Sequence, residues 1–294
     1  MKRWQQAATF FLATLALAAP GGPGRAQGMA PLAPGSGEQV AVVAGKTLKV
    51  STYLPKSCSP KLLLIVFHGI DRNADSYRDR ARPLADKLCA AMIAPEFNFS
   101  SFPRNLYAYG GLEDHGHTIE AGSRTVDLVE PLADWAQSGL KRRGLPYVLV
   151  GHSAGGQFLS RVAAYTPVQA VHIVIANPSS WVTANTTEVV PFGFDGLKAM
   201  GGPEQALRDY LGRPVIVALG RQDTGSKDLD QSIEAQKQGK TRYERGINTY
   251  NSAKAVAAQR GWAFNWTLVE VDGVGHSSSQ MMNAAPVVAA LKSR

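Results

Sequence analysis

The stretch Gly151-His152-Ser153-Ala154-Gly155-Gly156 most constrains what this chain can fold into, because it follows the apolar run Tyr147-Val148-Leu149-Val150 without a break. It fits G-x-S-x-G, with a β-prone run before it and a helical pattern over residues 156–164 behind it. In that context the motif is a nucleophile elbow. The strand ends, the backbone turns sharply into a helix, and the serine hydroxyl stands at the end of a sheet. A side chain at position 151 or 155 would collide with neighbouring backbone across so tight a turn, so both positions call for glycine.

The other apolar runs place this turn in a parallel sheet. Leu62–Phe67 is continuous and apolar, the pattern of a strand buried on both faces. Residues 91–95, 171–175, 215–219 and 265–271 read as further strands, and 40–44 and 48–53 flank Gly45-Lys46 as an opening hairpin. Helical patterns fall at 75–88 with a kink at Pro83, at 124–143 despite Pro131, and at 204–210, 249–260 and 281–292. Strands and helices alternate with no internal repeat, which predicts an α/β fold whose mostly parallel sheet is covered by helices on both faces. A chain of 294 residues with 45% hydrophobic content accommodates this as one domain. Residues 97–123 have no period and read as a long surface loop, and 182–212 read as an insertion.

The first residues stand apart. Met1-Lys2-Arg3 is a positive start, residues 7–19 are almost wholly apolar, and Pro20-Gly21-Gly22 breaks any helix. This predicts a secretory signal peptide over 1–26, too short for a dependable membrane span, with cleavage after Ala18 or after Ala26. Residues 27–38, mostly Gly, Pro, Ala and Ser, read as a disordered leader into a domain over 39–294. The expected location is therefore secreted or periplasmic. In an oxidising compartment the two cysteines, Cys58 and Cys89, are expected to pair. The net charge of +8 includes Lys2, Arg3 and Arg25, which removal of residues 1–26 would take away. The remainder is modestly basic, and no run of five like charges suggests a nucleic-acid partner.

A serine hydroxyl needs a base, and a histidine base needs a carboxylate to hold its tautomer. In such sheets, functional groups gather at the carboxyl ends of the strands. The run 215–219 leads into Gly220-Arg221-Gln222-Asp223, and the run ending at Val271 leads into Asp272-Gly273-Val274-Gly275-His276. Ser153, Asp223 and His276 are thus the candidate nucleophile, orienting acid and base. Asp228 and Asp230 lie farther along a polar loop, and Asp272 is too near His276 in sequence to face it. Backbone N–H groups of Ala154 and Ile70 are the candidate oxyanion donors, with His68 bracing the loop that carries Ile70. Tyr109, Trp181 and Phe192, with Tyr107 and Phe194, are candidate substrate contacts at the mouth. Glu113-Asp114-His115-Gly116-His117 lacks the spacing of a zinc motif, so neither a metal nor another cofactor is expected.

With these residues in view, the chain resembles an α/β-hydrolase over residues 47–292. The resemblance rests on the His68-Gly69 strand end, the elbow, Gly220-Arg221-Gln222-Asp223 and Gly273-Val274-Gly275-His276, with Tyr53-Leu54-Pro55 upstream. The chain is most similar to secreted esterases that include polyhydroxyalkanoate depolymerases and feruloyl-esterase-like proteins. The resemblance implies an exported serine hydrolase of carboxylic esters, polymeric ones among them, with Ser153, Asp223 and His276 as its triad. Where such depolymerases carry H-G-C-x-Q, this chain has His68-Gly69-Ile70-Asp71-Arg72. The loop cations Arg72, Arg221, Lys227, Lys240, Arg242 and Arg245 suggest a second substrate class, an anionic polyamide such as poly-aspartate. A catalytically silent binding protein is the reading from another class, and the order of serine, acid and histidine stands against it. No stable membrane insertion is expected.

Overall fold

The computed structural model describes residues 31–115, 117–197 and 201–293. The signal peptide, both cleavage points and the first part of the expected leader lie outside these residues. The hairpin β1 (Gly35–Val43) and β2 (Lys46–Leu54) opens the fold. Strand β1 begins inside the stretch expected to be disordered, so the leader reading is corrected from Gly35 onward. Glu38 is there paired across the hairpin with Ser51.

Next come β3 (Leu62–Phe67), α1 (Ala74–Leu88) and β4 (Ala90–Pro95). A small hairpin, β5 (Glu113–Asp114) and β6 (His117–Thr118), precedes α2 (Val129–Gly139). The elbow joins β7 (Tyr147–His152) to α3 (Ala154–Tyr165), and β8 (His172–Ala176) follows. The rest is α4 (Gly202–Leu211), β9 (Val215–Gly220), α5 (Ile233–Gln238), α6 (Arg242–Arg260), β10 (Thr267–Val271), α7 (Ser278–Asn283) and α8 (Ala285–Ala290).

Eight strands form one sheet in the order β1-β2-β4-β3-β7-β8-β9-β10. The first two pairings, β1 with β2 and β2 with β4, are antiparallel, and all the others are parallel. The period of two along each strand divides the core. Leu63, Ile65 and Phe67 of β3 face one layer, while Leu64 and Val66 face the other. Helices cover both layers, which is why the central strands are apolar throughout rather than alternating. Each such side chain contributes about 2 kcal/mol on burial.

Several boundaries differ from the sequence reading, each for a local reason. Pro131 sits in the first turn of α2, where its missing N–H costs nothing, and a short 3₁₀ turn over Thr125–Leu128 leads into it. The expected single helix at 281–292 is two helices. Pro286 has no N–H to extend the first, and the chain breaks in extended backbone at Ala284. Helix α6 starts at Arg242, well before the expected 249, under a cap in which Thr241 Oγ1 accepts from the N–H of Glu244 at 3.1 Å. The segment 97–123 is a surface loop only in part, since Phe97, Phe102, Tyr107 and Leu112 are buried. Phe97 and Tyr107 pack against Phe158 of α3 at ring-centroid distances of 5.4 and 5.2 Å.

Cys58 and Cys89 are joined in a disulfide with Cα atoms 6.1 Å apart, fastening the end of α1 to the segment before β3. Among the described residues no helix is long and apolar enough to cross a membrane. The bridge closes a loop with a sequence separation of 31. Replacing both cysteines by serine is therefore expected to lower the unfolding free energy by about 3 kcal/mol. Urea denaturation would show this as a lower midpoint with a somewhat steeper slope, because the unfolded chain freed of its crosslink exposes more surface, whereas an unmoved midpoint would mean the loop is held by packing alone.

Candidate active site

The elbow is as tight as its glycines require. A Cβ on Gly151 would run into the carbonyl of Gly155, and one on Gly155 would run into the carbonyl of Phe67 at the end of β3. Ser153 itself has φ 58° and ψ −120°, a conformation that non-glycine residues rarely hold. Its N–H donates to the Ala176 carbonyl at 3.0 Å and its carbonyl accepts from the Gln157 N–H at 2.9 Å, so both the sheet and the new helix grip the turn.

Three strand ends meet there. His276 Nε2 lies 3.0 Å from Ser153 Oγ, and His276 Nδ1 lies 2.7 Å from Asp223 Oδ2. With the proton on Nδ1 the ring donates to Asp223 and accepts from the serine, the tautomer in which a histidine can take a hydroxyl proton. Asp223 is buried, and its second oxygen faces the buried Arg242 guanidinium at 3.7 Å. Burial lowers the pKa of Arg242 while Asp223 acts to raise it. Arg242 also donates to the Gly225 carbonyl at 3.5 Å and the Lys227 carbonyl at 2.6 Å, holding the loop that carries the acid.

Ala154 is the first residue of α3, so its N–H has no acceptor within the helix. The Ile70 N–H likewise finds no protein acceptor among the described residues. His68 braces the Ile70 loop. Its Nε2 accepts from the Phe97 N–H at 3.0 Å, its Nδ1 donates to the Gly69 carbonyl at 2.9 Å, and its own carbonyl accepts from Tyr107 Oη at 2.8 Å. Burial depresses its pKa to about 3, so the ring is a neutral strut.

The cleft has two lobes that share Ser153, Ile70 and Asp228. One, of about 690 Å³, is bordered also by His276, Tyr77, Arg80 and Lys227. The other, of about 190 Å³, is bordered also by Ala154, Phe99, Ala108 and Leu229.

The aromatic residues expected at the mouth are elsewhere, and that expectation is corrected. Trp181 is fully buried, and Phe192 is buried edge-on against Tyr109 at 5.4 Å. Tyr109 donates its hydroxyl to Asp230 at 2.8 Å and borders a separate cavity with Pro191 and His115. These rings pack the insertion onto α3. Most of the suggested cations are structural as well. Arg72, Arg242 and Arg245 are buried and donate to backbone carbonyls, and Arg221 pairs with Glu270 and Asp272, each at 3.1 Å. Asp272 is thereby accounted for on the surface, and Asp230 pairs with Arg104 at 3.2 Å.

Sequence reasoning read Arg242 as a loop cation rather than as the partner of Asp223, and passed over two further residues. Asn177, with φ 44°, accepts from the Gly220 N–H at 2.9 Å and donates to the Gly275 carbonyl at 3.1 Å, so it ties the ends of β8 and β9 to the loop of His276. Its only signal was a position just past a strand end. Tyr77 places its hydroxyl 3.2 Å from His152 Nδ1 and against Gly69, and nothing in the pattern of α1 marks it out.

The model of the alpha/beta hydrolase family matches residues 62–290. None of the curated proteins matches in sequence. Among solved structures, the poly(3-hydroxybutyrate) depolymerase LpqC from Bordetella parapertussis is 27% identical, with a TM-score of 0.80 over 86% of this chain and 89% of its own. Poly(aspartic acid) hydrolase-1 from Sphingomonas sp. KT-1 is 30% identical, with a TM-score of 0.81 over 87% and 98%. Est1E from Butyrivibrio proteoclasticus, 16% identical at a TM-score of 0.52 over 87% and 98%, shares the fold. Family match, sheet order and elbow agree, and the chain belongs to the alpha/beta hydrolase family.

Proposed function

We propose that this chain is an exported serine hydrolase that cleaves carboxylic esters through an acyl-enzyme. The observation that carries the reading is the unbroken hydrogen-bonded line from Ser153 Oγ through His276 to the buried carboxylate of Asp223. Ser153 Oγ attacks the ester carbonyl carbon while its proton passes to His276 Nε2. The N–H groups of Ala154 and Ile70 receive the oxyanion, each donor contributing about 3 kcal/mol in the transition state. The tetrahedral intermediate collapses, and His276 delivers the proton to the departing alcohol oxygen. Water then enters, gives a proton to His276 and attacks the acyl carbon; as the second intermediate collapses, His276 returns that proton to Ser153 Oγ and the carboxylic acid departs. Asp223 holds the imidazole in place and stabilises its charged form throughout. The cycle needs only side chains, backbone donors and water.

Export is part of the proposal. It is supported by the leader pattern of residues 1–26 and by the Cys58–Cys89 disulfide, a bond that persists in oxidising compartments. The mature domain is taken to begin near Gly35, where β1 starts.

The poly(aspartic acid) hydrolase at 30% identity favours a second reading, cleavage of an anionic amide polymer. The charges at the cleft favour the ester. Arg80 and Lys227 border the larger lobe, but so do Asp71 and Asp228, and Arg242 is engaged with Asp223; at the smaller lobe Arg104 is paired with Asp230 and Arg72 is turned to the Phe97 carbonyl. A balanced cleft gives no strong field for a polyanion. Purified protein incubated with poly(3-hydroxybutyrate), aryl esters and poly-aspartate, with products identified by mass, separates the readings. Ester products are expected, and aspartate oligomers alone would reverse the assignment.

A fluorophosphonate probe is expected to label Ser153, and absence of labelling in folded protein would leave a silent binding protein as the better reading. Ser153→Ala and His276→Ala should each lower kcat on nitrophenyl butanoate by about five orders of magnitude. Near-normal turnover in His276→Ala would mean that another base serves. Asp223→Asn is expected to cost about 10⁴ in kcat. Arg242→Met leaves the Asp223 carboxylate buried without its cation, and should lower the unfolding free energy by about 3 kcal/mol in urea denaturation. An unchanged midpoint would show that the ion pair adds nothing.

A further inference from the structure

The two lobes of the cleft differ in what borders them. His276 borders the larger, beside Gln222, Ser277 and Ser278, and does not border the smaller. In acyl transfer the base that takes the serine proton later gives one to the departing atom, so the leaving group must lie on the side of that base. The acyl group is left with the other side of the serine.

The smaller lobe is built for contact with an apolar group. Ile70, 39% exposed, and Phe99, 60% exposed, are two of the few large apolar side chains that face solvent, and both border it. Phe99 is held in place rather than left over. The buried Arg72 guanidinium lies between its ring, at 4.7 Å, and that of Tyr107, at 4.4 Å, and donates to the Phe97 carbonyl at 2.9 Å. Of the polar neighbours, Arg104 is paired with Asp230 at 3.2 Å and Gln157 donates to Ser180 Oγ at 2.8 Å, while the exposed Asp228 sits where the two lobes meet. A volume of about 190 Å³ falls below the range of about 300–1,000 Å³ that takes a drug-sized ligand, so the group it accepts is short.

We propose that Phe99 and Ile70 wall a pocket for a short apolar acyl group, while the leaving group extends along the polar lobe beside His276. The assignment rests on the serine-hydrolase reading above, and Phe99 is its specificity-determining residue.

4-Nitrophenyl esters of increasing acyl length test it with the leaving group held constant. From acetate to butanoate kcat/KM is expected to rise about fifteenfold, since each of the two added methylenes contributes roughly fourfold on burial, and it should then fall by octanoate as the chain outgrows the lobe. Phe99→Ala should cut the butanoate-to-acetate ratio about threefold, and Leu229→Ala, which deepens the lobe, should move the optimum to a longer chain. Rates that climb steadily through octanoate in the wild type overturn the pocket, and that profile does not depend on any variant folding. Variants that instead change discrimination among leaving alcohols, at constant butanoyl group, place the two groups the other way round. Fluorophosphonate labelling separates the two levels of failure. Unlabelled wild-type protein sinks the serine reading itself, whereas a labelled protein with a flat length profile sinks the acyl pocket alone.

Discussion

The close approach of three backbone segments at the end of β3 is the constraint on which the rest of the site depends. Gly155 lies against the Phe67 carbonyl, and Gly151 lies against that of Gly155, so β7, α3 and the end of β3 meet with no side chain between them. That contact sets the distance between Ser153 and the loop of Gly69 and Ile70. A methyl group at either glycine would push the nucleophile and the candidate oxyanion donors apart together. The positive φ of Ser153 is tolerated because hydrogen bonds to Ala176 and Gln157 fix the turn from both ends. Strain of this kind costs about 1–3 kcal/mol, which the two-sided hydrophobic core can offset many times over.

Around that contact the loops are held by buried cations as well as by apolar packing. Arg161 of α3 is fully buried and donates to the carbonyls of Pro191, Gln157 and Ser180. Arg245 of α6 donates to the carbonyls of Ser179, Asp230 and Gly239, and Arg242 to those of Gly225 and Lys227. Loop carbonyls beneath a sheet end have no ladder to bond with, and leaving them buried and unpaired costs about 1–3 kcal/mol each. A guanidinium has five donors in a fixed fork and can serve several of them at once. Burial lowers the pKa of Arg161 and of Arg245, a measure of how far these charges have been taken from water for the sake of loop order.

This arrangement explains which parts of the site were legible in the sequence. The elbow, Asp223 and His276 each follow an apolar strand run, and position past a strand end suffices to nominate them. The buried arginines were read as possible surface cations because a sequence shows their charge but not the carbonyls that surround them. Helix α6 was read too short for the same reason, since Arg242, Glu244 and Arg245 give its first turns a polar pattern, although Arg242 and Arg245 face inward. The aromatic residues erred in the opposite direction. Trp181, Phe192 and Phe194 look like a binding surface in a segment without period, yet they fill the space between the insertion and α3. Phe99, which does border the cleft, is flanked by Asn98 and Ser100 and has no pattern to single it out. Whether a loop aromatic faces in or out is decided by tertiary contacts that no local period records.

The residue before the nucleophile shows how the fold protects the proposed chemistry. His152 is buried with its ring centroid 4.5 Å from that of His276, and its Nδ1 lies 3.2 Å from Tyr77 Oη. Burial first, and then the nearby His276, hold its pKa well below the ordinary histidine value. Two imidazolium ions so close would repel by about 4 kcal/mol at an effective dielectric of 20, enough to reduce protonation of the base about a thousandfold. Because His152 stays neutral, His276 can become positively charged during each half of the proposed cycle beside the Asp223 carboxylate at 2.7 Å without a second imidazolium against it. A histidine at this position is therefore compatible with catalysis because it is buried. Opening the Tyr77 side to water would let it ionise and set it against the base it touches.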